Sequence, residues 1–301
     1  MAQVQNSIIE KVLSEIDHLP TLPHVVAKII AMAESDQGNA LTLSKELDQS
    51  LSARVLMVAN SAYYGGNARR QVNSVHHAIV IIGFDAVKEI ILTTSLFHTF
   101  RDSQEVKSLE PLWQHSVECA VAARRLAWVF RYEGMDEAYL AGLIHDIGKL
   151  VIQQYFPEQF RILKKEEKGE EDDLVMEKEI LGMTHAAIAG KIAKHWNFPE
   201  PLVEAVAHHH DEGWKLNPKL GKIIFYANRF VLGRIDFFTM LNFFEQAGFG
   251  YPSSWKSEDL TRVEDMIRGE LKKASSMVHS SGSSNLPKRK EVDLAVFSKN
   301  S

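Results

Sequence analysis

The chain is 301 residues long, 45% hydrophobic and 24% charged, with a formal net charge of −5. That length can bury a core as one large or two smaller domains, and the acidic balance, with no dense basic stripe, argues against a nucleic-acid partner. The single Cys119 excludes an internal disulfide framework and suits a reducing compartment, no basic start precedes an apolar run at the N-terminus, and the longest apolar stretch (78–84) is far too short to span a bilayer; a soluble cytoplasmic protein with no membrane partner is expected.

Taken in chain order, nearly every segment reads at helical period. Ile8, Val12, Leu13 and Ile16 recur at three- and four-residue steps until Leu19-Pro20-Thr21-Leu22-Pro23 breaks the helix. Pro23 suits the first turn of the next helix, whose apolar face is Val25, Val26, Ile29, Ile30 and Met32. Short helices follow over 41–47 and 48–59, then 75–82 and 87–97 on either side of Gly83. A polar stretch, 101–110, closes this N-terminal helical block.

Beyond it the spacing predicts a long helix rich in small residues over 112–130, then a helix over 137–150 that carries Leu143-Ile144-His145-Asp146-Ile147-Gly148-Lys149. An amphipathic segment (156–168) and an acidic loop (169–173) come next, and Asp172 to Leu181 leads into Thr184. Thr184 is placed to cap a helix beginning at His185, and Asn197-Phe198-Pro199 ends it. Pro201 opens a helix running into His208-His209-His210, followed by helices over 222–232, 237–247 and 258–274. From Ser275 the composition becomes Ser, Gly and scattered charge, which predicts a flexible tail or linker over 275–301. No segment shows strand alternation, so the expected class is all-α. It divides into an N-terminal helical part (1–105), a helical part with the candidate site (106–274) and the tail.

The dipeptide His145-Asp146 carries the most chemistry: a neutral nitrogen ligand beside a carboxylate suits a borderline divalent metal. Gly148 permits close backbone approach, and Lys149 brings an ammonium toward a phosphate. A lone His-Asp pair is more often a satisfied surface pair, and a triple histidine more often a solvated cluster. What favours a metal is their company, with candidate positions on five helices: His115, His145 with Asp146, His185, His209 with His210, and the segment around Asn228. His98 and His195 are read as ordinary partly buried or surface histidines. Cys119 lies four residues after His115, on the same helical face, and is read as a core-filling cysteine. An aspartate such as Asp146 can bridge two cations, and two metals ~3.5–4 Å apart can activate water and clamp the oxygens of a phosphoester. Fe, Mn, Zn, Ni and Co all suit such ligands.

The N-terminal segments Leu19-Pro20-Thr21-Leu22-Pro23, Asp48-Gln49-Ser50-Leu51-Ser52-Ala53-Arg54-Val55-Leu56 and Ala59-Asn60-Ser61-Ala62-Tyr63-Tyr64-Gly65, with Ser74-Val75-His76-His77-Ala78-Ile79 and Ile82-Gly83, resemble the hallmarks of the HDOD family. This is a branch of the HD superfamily of helical metal-dependent phosphohydrolases, and the resemblance covers roughly 7–235. It implies a fold shared with the HD-GYP cyclic-dinucleotide phosphodiesterases but a signalling or regulatory role. By that resemblance one metal uses Asp146, His185, His209 and His210. A second uses His115, His145, Asp146 and a later aspartate, whose place is taken by Asn228, an amide that can ligate but brings no charge. A glutamate that some HD-GYP enzymes use for a third metal is replaced by Pro111. Gly250-Tyr251-Pro252 lies too far past the histidines to be the family tripeptide and is read as a turn.

The resemblance thus implies a bacterial signal-transduction module with a protein partner and a retained site for one or two divalent transition metals. Such a site would also receive a nucleotide or phosphate ligand, with weak or no catalysis. The alternative is a metal-dependent phosphohydrolase acting on a nucleotide or cyclic dinucleotide, with Asp146 bridging the metals and Lys149 on the phosphate.

Overall fold

The three- and four-residue recurrence of apolar positions becomes α-helix throughout the computed structural model, which describes residues 14, 24–33, 47, 49–60, 72–99, 106–165, 169–211 and 214–282. Among the described residues there is no strand. The predicted helices over 8–16 and 41–47, the segments 19–23 and 61–65 and residues 283–301 of the predicted tail lie outside the described residues, apart from Ser14 and Leu47.

The first described helices are α1 (His24–Ala33), α2 (Gln49–Ala59), α3 (Val75–Ile82) and α4 (Phe84–Thr99). α4 is their centre: α1, α2 and α3 all pack on it. Val25, Val26 and Ile29 of α1 and Val55 and Val58 of α2 are buried against Val87, Ile90 and Ile91 of α4. Asn60 explains part of the sequence pattern after α2. Its amide donates to the Leu56 and Val72 carbonyls (2.9 and 2.7 Å) and accepts from the Val72 N–H (2.7 Å), clamping the end of α2 to the approach to α3.

The remaining helices are α5 (Val106–Val129), α6 (Met135–Ile144), α7 (Ile147–Tyr155), α8 (Pro157–Lys165), α9 (Glu170–Leu181), α10 (His185–His195), α11 (Glu200–Ala207), α12 (Pro218–Val231), α13 (Phe237–Gln246) and α14 (Ser257–Gly282). α5 is the axis of this part, flanked by α6, α12 and α14, while α10 packs on α7 and α11. One continuous hydrophobic cluster runs from Val25 to Ala274 and joins both parts. A polar seam also joins them: Lys88 and Arg124 pair with Asp136 and with Asp85 and Glu89, and the Thr93 and Tyr139 hydroxyls meet at 2.9 Å.

Several boundaries differ from the sequence reading. The helix predicted over 112–130 begins at Val106 and takes Pro111 into its second turn, where the missing N–H removes only one bond to the preceding turn. The predicted acidic loop is already helix from Glu170, because its carboxylates favour a helix N-terminus. The closing helix continues past Ser275 to Gly282, so helical backbone extends into the segment assigned to a flexible tail. The helix after Pro201 stops at Ala207, leaving the triple histidine in a turn. The predicted helix over 137–150 is two helices, α6 and α7, broken at His145–Asp146.

Candidate metal centre

That break positions the chemistry. Successive residues on an uninterrupted helix point about 100° apart, so a regular helix would aim His145 and Asp146 in different directions. Here Asp146 leaves helical geometry at φ −98, ψ 11. It occupies the N-cap position of α7 without making the side-chain hydrogen bond an aspartate usually makes there. Its carboxylate is directed instead at the histidines.

Two glycines allow the approach. A Cβ on Gly148 would lie 2.0 Å from the His185 carbonyl oxygen, and one on Gly142 would lie 2.8 Å from the Cys119 carbonyl. Both distances forbid a side chain, so α7 meets the start of α10, and α6 meets α5, only because these positions are glycine.

The Asp146 carboxylate has two faces. Its Oδ1 lies 3.1 Å from His185 Nε2 and 3.5 Å from His209 Nε2. Its Oδ2 lies 3.5 Å from His145 Nε2, 3.6 Å from His115 Nε2 and 2.8 Å from the Lys149 ammonium. His210 Nε2 completes the first set, 2.8 Å from His185 Nε2. In the second set His115 and His145 bring their Nε2 atoms to 3.2 Å, with Cys119 Sγ 3.8 Å from His115 and 4.0 Å from Asn228 Oδ1.

The tautomers follow from the far side of each ring. His145 Nδ1 faces the Gly142 carbonyl at 2.8 Å and His209 Nδ1 faces the Val206 carbonyl at 2.7 Å. His185 Nδ1 faces the Glu177 carboxylate at 2.7 Å. Carbonyl and carboxylate oxygens only accept, so each Nδ1 carries the proton and each Nε2 turns its lone pair inward. His145 and His209 use the same device, a histidine in the turn after a helix donating to the carbonyl three residues back. Glu177 also accepts the His185 N–H, at 2.7 Å.

Burial pushes the His145 and His209 rings below the ordinary imidazole range, His209 to about 3 with His210 adding to the effect. Burial would raise the Asp146 carboxyl, but the Lys149 ammonium and the surrounding imidazoles outweigh it and hold it well below the usual carboxylate range. The site therefore presents an anion and, at His115, His145 and His209, imidazoles held toward the neutral form, whereas Asp146 and Glu177 raise His185, whose Nε2 proton a divalent cation would displace. Lone pairs meeting at 2.8–3.2 Å repel unless a proton or cation lies between them, and the buried Asp146 Oδ1 and His209 Nε2 have no well-directed hydrogen-bond partner. Bonds of ~2.1 Å to one ion place neighbouring ligand atoms about 3.0–3.4 Å apart, which the observed spacings bracket. On these grounds the residues fit divalent metal: Asp146, His185, His209 and His210 form one group that could hold an ion, and His115, Cys119 and His145 another.

Above the cluster lies a cavity of about 430 Å³. His115, Asp146, His185, His210 and Asn228 form its floor, Leu112, Phe160, Leu163 and Leu174 its apolar walls, and Lys149, Lys164 and Arg234 bring positive charge. Pro111 lines it too.

The structure thus brings together His115, His145, Asp146, Lys149, His185, His209, His210 and Asn228. It divides the triple histidine: His208 turns away and pairs with Asp211 at 2.9 Å. Tyr251 of the Gly-Tyr-Pro sequence stacks with Trp255, apart from the cluster. Glu177 is a residue the sequence did not reveal, since nothing distinguishes it from the other acidic residues of α9. Cys119 is not simply core-filling, as its sequence context suggests: its sulfur faces the cluster, and the four-residue step from His115 is the sequence signal for it.

An all-helical fold with a histidine–aspartate cluster at a helix break defines a class of protein. The chain belongs to the HDOD domain family, whose model matches residues 19–212. It is similar to a candidate phosphohydrolase from Shewanella amazonensis SB2B, with 21% identity, a TM-score of 0.70, and coverage of 89% of this chain and 97% of that one. It is also similar to a candidate signal transduction protein from Marinobacter aquaeolei VT8, with 21% identity, a TM-score of 0.72, and coverage of 92% and 66%. At such identities the likeness concerns the fold. An uncharacterized protein of Treponema pallidum (strain Nichols) is 21% identical over 218 residues, 69% of this chain and 41% of that protein, so the chain spans less than half of that relative's length. No described helix is long and apolar enough to cross a membrane.

Proposed function

We propose that the protein is a regulatory module of bacterial signal transduction that holds divalent transition metal at Asp146 and receives a phosphorylated small ligand above it, with weak or no turnover. The observation that carries this reading is the two-faced Asp146 carboxylate, each oxygen directed at its own set of imidazoles. Asp146, His185, His209 and His210 would hold one ion, and His115, His145 and Asp146 would contribute to a second. Fe, Mn, Zn, Ni and Co suit these ligands.

Bound metal would supply Lewis acidity toward a phosphoryl oxygen. The chain's own groups do the rest. Glu177 fixes the His185 ring, and the Gly142 and Val206 carbonyls fix His145 and His209, so the imidazoles do not reorient when a cation arrives. Lys149 sits on Asp146 Oδ2 at 2.8 Å and is one third exposed toward the cavity, within reach of an incoming phosphate. The apolar walls would exclude water around the non-phosphate part of the ligand.

Low turnover is favoured by Asn228, a buried neutral amide in the cluster where a carboxylate would balance a second cation. The N-terminal residues, 1–105, are the proposed partner-binding part. A second reading, a phosphohydrolase acting on a nucleotide or cyclic dinucleotide, draws on Lys149 and on the complete first ligand set.

The test is a panel of cyclic dinucleotides, nucleotides and simple phosphoesters offered to the full chain with Mn or Fe. The expected result is ligand binding that Lys149→Met weakens, without hydrolysis above a His145→Ala/Asp146→Ala control. Turnover abolished in that control would replace the regulatory reading with the enzymatic one.

A further inference from the structure

Cys119 is buried, at 1% exposure, yet it lies outside the hydrophobic cluster that takes up the other small residues of α5. Its sulfur faces polar groups: His115 Nε2 at 3.8 Å and Asn228 Oδ1 at 4.0 Å, toward which the thiol donates. The ligand atoms of His115, Cys119 and His145 lie within 4.8 Å of one another. Two independent features produce this. The four-residue step puts His115 and Cys119 on one helix face, and Gly142 lets α6 close onto the Cys119 backbone, bringing His145 alongside.

Four of the six edges of one coordination polyhedron fit the structure. A tetrahedral ion with ~2.1 Å bonds to nitrogen and oxygen and a ~2.3 Å bond to sulfur has nitrogen–nitrogen and nitrogen–oxygen edges of about 3.4 Å and nitrogen–sulfur edges of about 3.6 Å. The structure gives 3.2 Å between His115 and His145, 3.6 and 3.5 Å from these rings to Asp146 Oδ2, and 3.8 Å from His115 to the sulfur. Charge points the same way. Asp146 is shared between the two sets and Asn228 is neutral, so a second dication here would lack an anion of its own. A thiolate provides it, the thiol proton leaving to solvent as the sulfur–metal bond forms.

We propose that Cys119 is a ligand of the second cation, its thiolate supplying the charge that Asn228 does not. This rests on the reading of the cluster as a metal centre. It assigns the second position a His115, His145, Asp146, Cys119 set, which favours Zn, Co or Fe over the harder Mn and Mg.

The test uses the full chain, stripped of metal and reloaded with Co(II). The wild type is expected to bind two ions, show a near-ultraviolet sulfur-to-cobalt charge-transfer band, and give a sulfur scatterer at ~2.3 Å by X-ray absorption. Cys119→Ala is expected to bind one ion and lose the band; Cys119→Ala/Asn228→Asp should regain the second ion without it. Two ions with no sulfur signature, or a single ion in the wild type, would overturn the role of Cys119 and leave the first site standing. No bound ion at all would overturn the metal-centre reading with it. The scattering measurement needs no variant, so misfolding of Cys119→Ala does not shield the proposal.

Discussion

Asp146 does not make the side-chain capping hydrogen bond its position invites. An N-cap aspartate ordinarily satisfies a free backbone N–H of its own helix, and this one turns a buried carboxylate toward imidazoles and one ammonium. The same residues set a pH dependence for the metal-free protein. Burial holds His145 and His209 below the ordinary imidazole range, whereas an unfolded chain takes up those protons near 6.5. Below about 6.5 the unfolded state therefore binds more protons, and stability falls as pH drops through that window. His185 acts in the opposite sense: against burial, Asp146 and Glu177 raise it, so its contribution is complete below about 6.5 and is lost at higher pH. Burial depresses His115 as well, so three depressed rings outweigh one raised ring. The urea midpoint of metal-stripped protein should be lower at about pH 5 than at about pH 7.5, and an equal or higher value would contradict this balance.

At the scale of elements, the site depends on where helices stop. His145 and Asp146 stand between α6 and α7, His185 opens α10, and His209 and His210 follow α11. Thr184 caps α10 as its sequence predicts, accepting from the Ala187 N–H at 3.2 Å. The stop at His145–Asp146 could not be read the same way, because apolar residues recur at helical period straight through it and no proline interrupts them. Tertiary packing forces it, since Gly148 must face the His185 carbonyl. Gly148→Ala would drive a methyl into that oxygen. Overpacking of this kind typically costs about 1–3 kcal/mol, and here it would also separate Asp146 from His185. The variant should melt at lower temperature and lose metal from the Asp146, His185, His209 and His210 set. Unchanged metal content would show that the contact does not hold the ligands in place.

Over the whole molecule, the candidate ligand residues were legible because histidines and an aspartate stand out in otherwise apolar helical segments. The N-terminal pattern was legible as a family signature, and Asn60 now supplies a physical reason for part of it. The groups that orient or complete the site were not. Glu177 is one carboxylate among many on an acidic helix, Lys164 and Arg234 reach the cavity from distant segments, and the polarity around Cys119 exists only once α5, α6 and α12 meet. A continuous core and the seam of Lys88, Arg124, Thr93 and Tyr139 couple α4 to α5 and α6, so a partner on the N-terminal helices would act on a body packed directly against the site. The central claim is that this body holds metal. Anomalous scattering from crystals of the full chain, purified without chelators and without oxygen, tests it most directly. The account predicts a peak among Asp146, His185, His209 and His210, with a second beside His115 and His145. The absence of any peak there, together with metal analysis showing none bound, would contradict it.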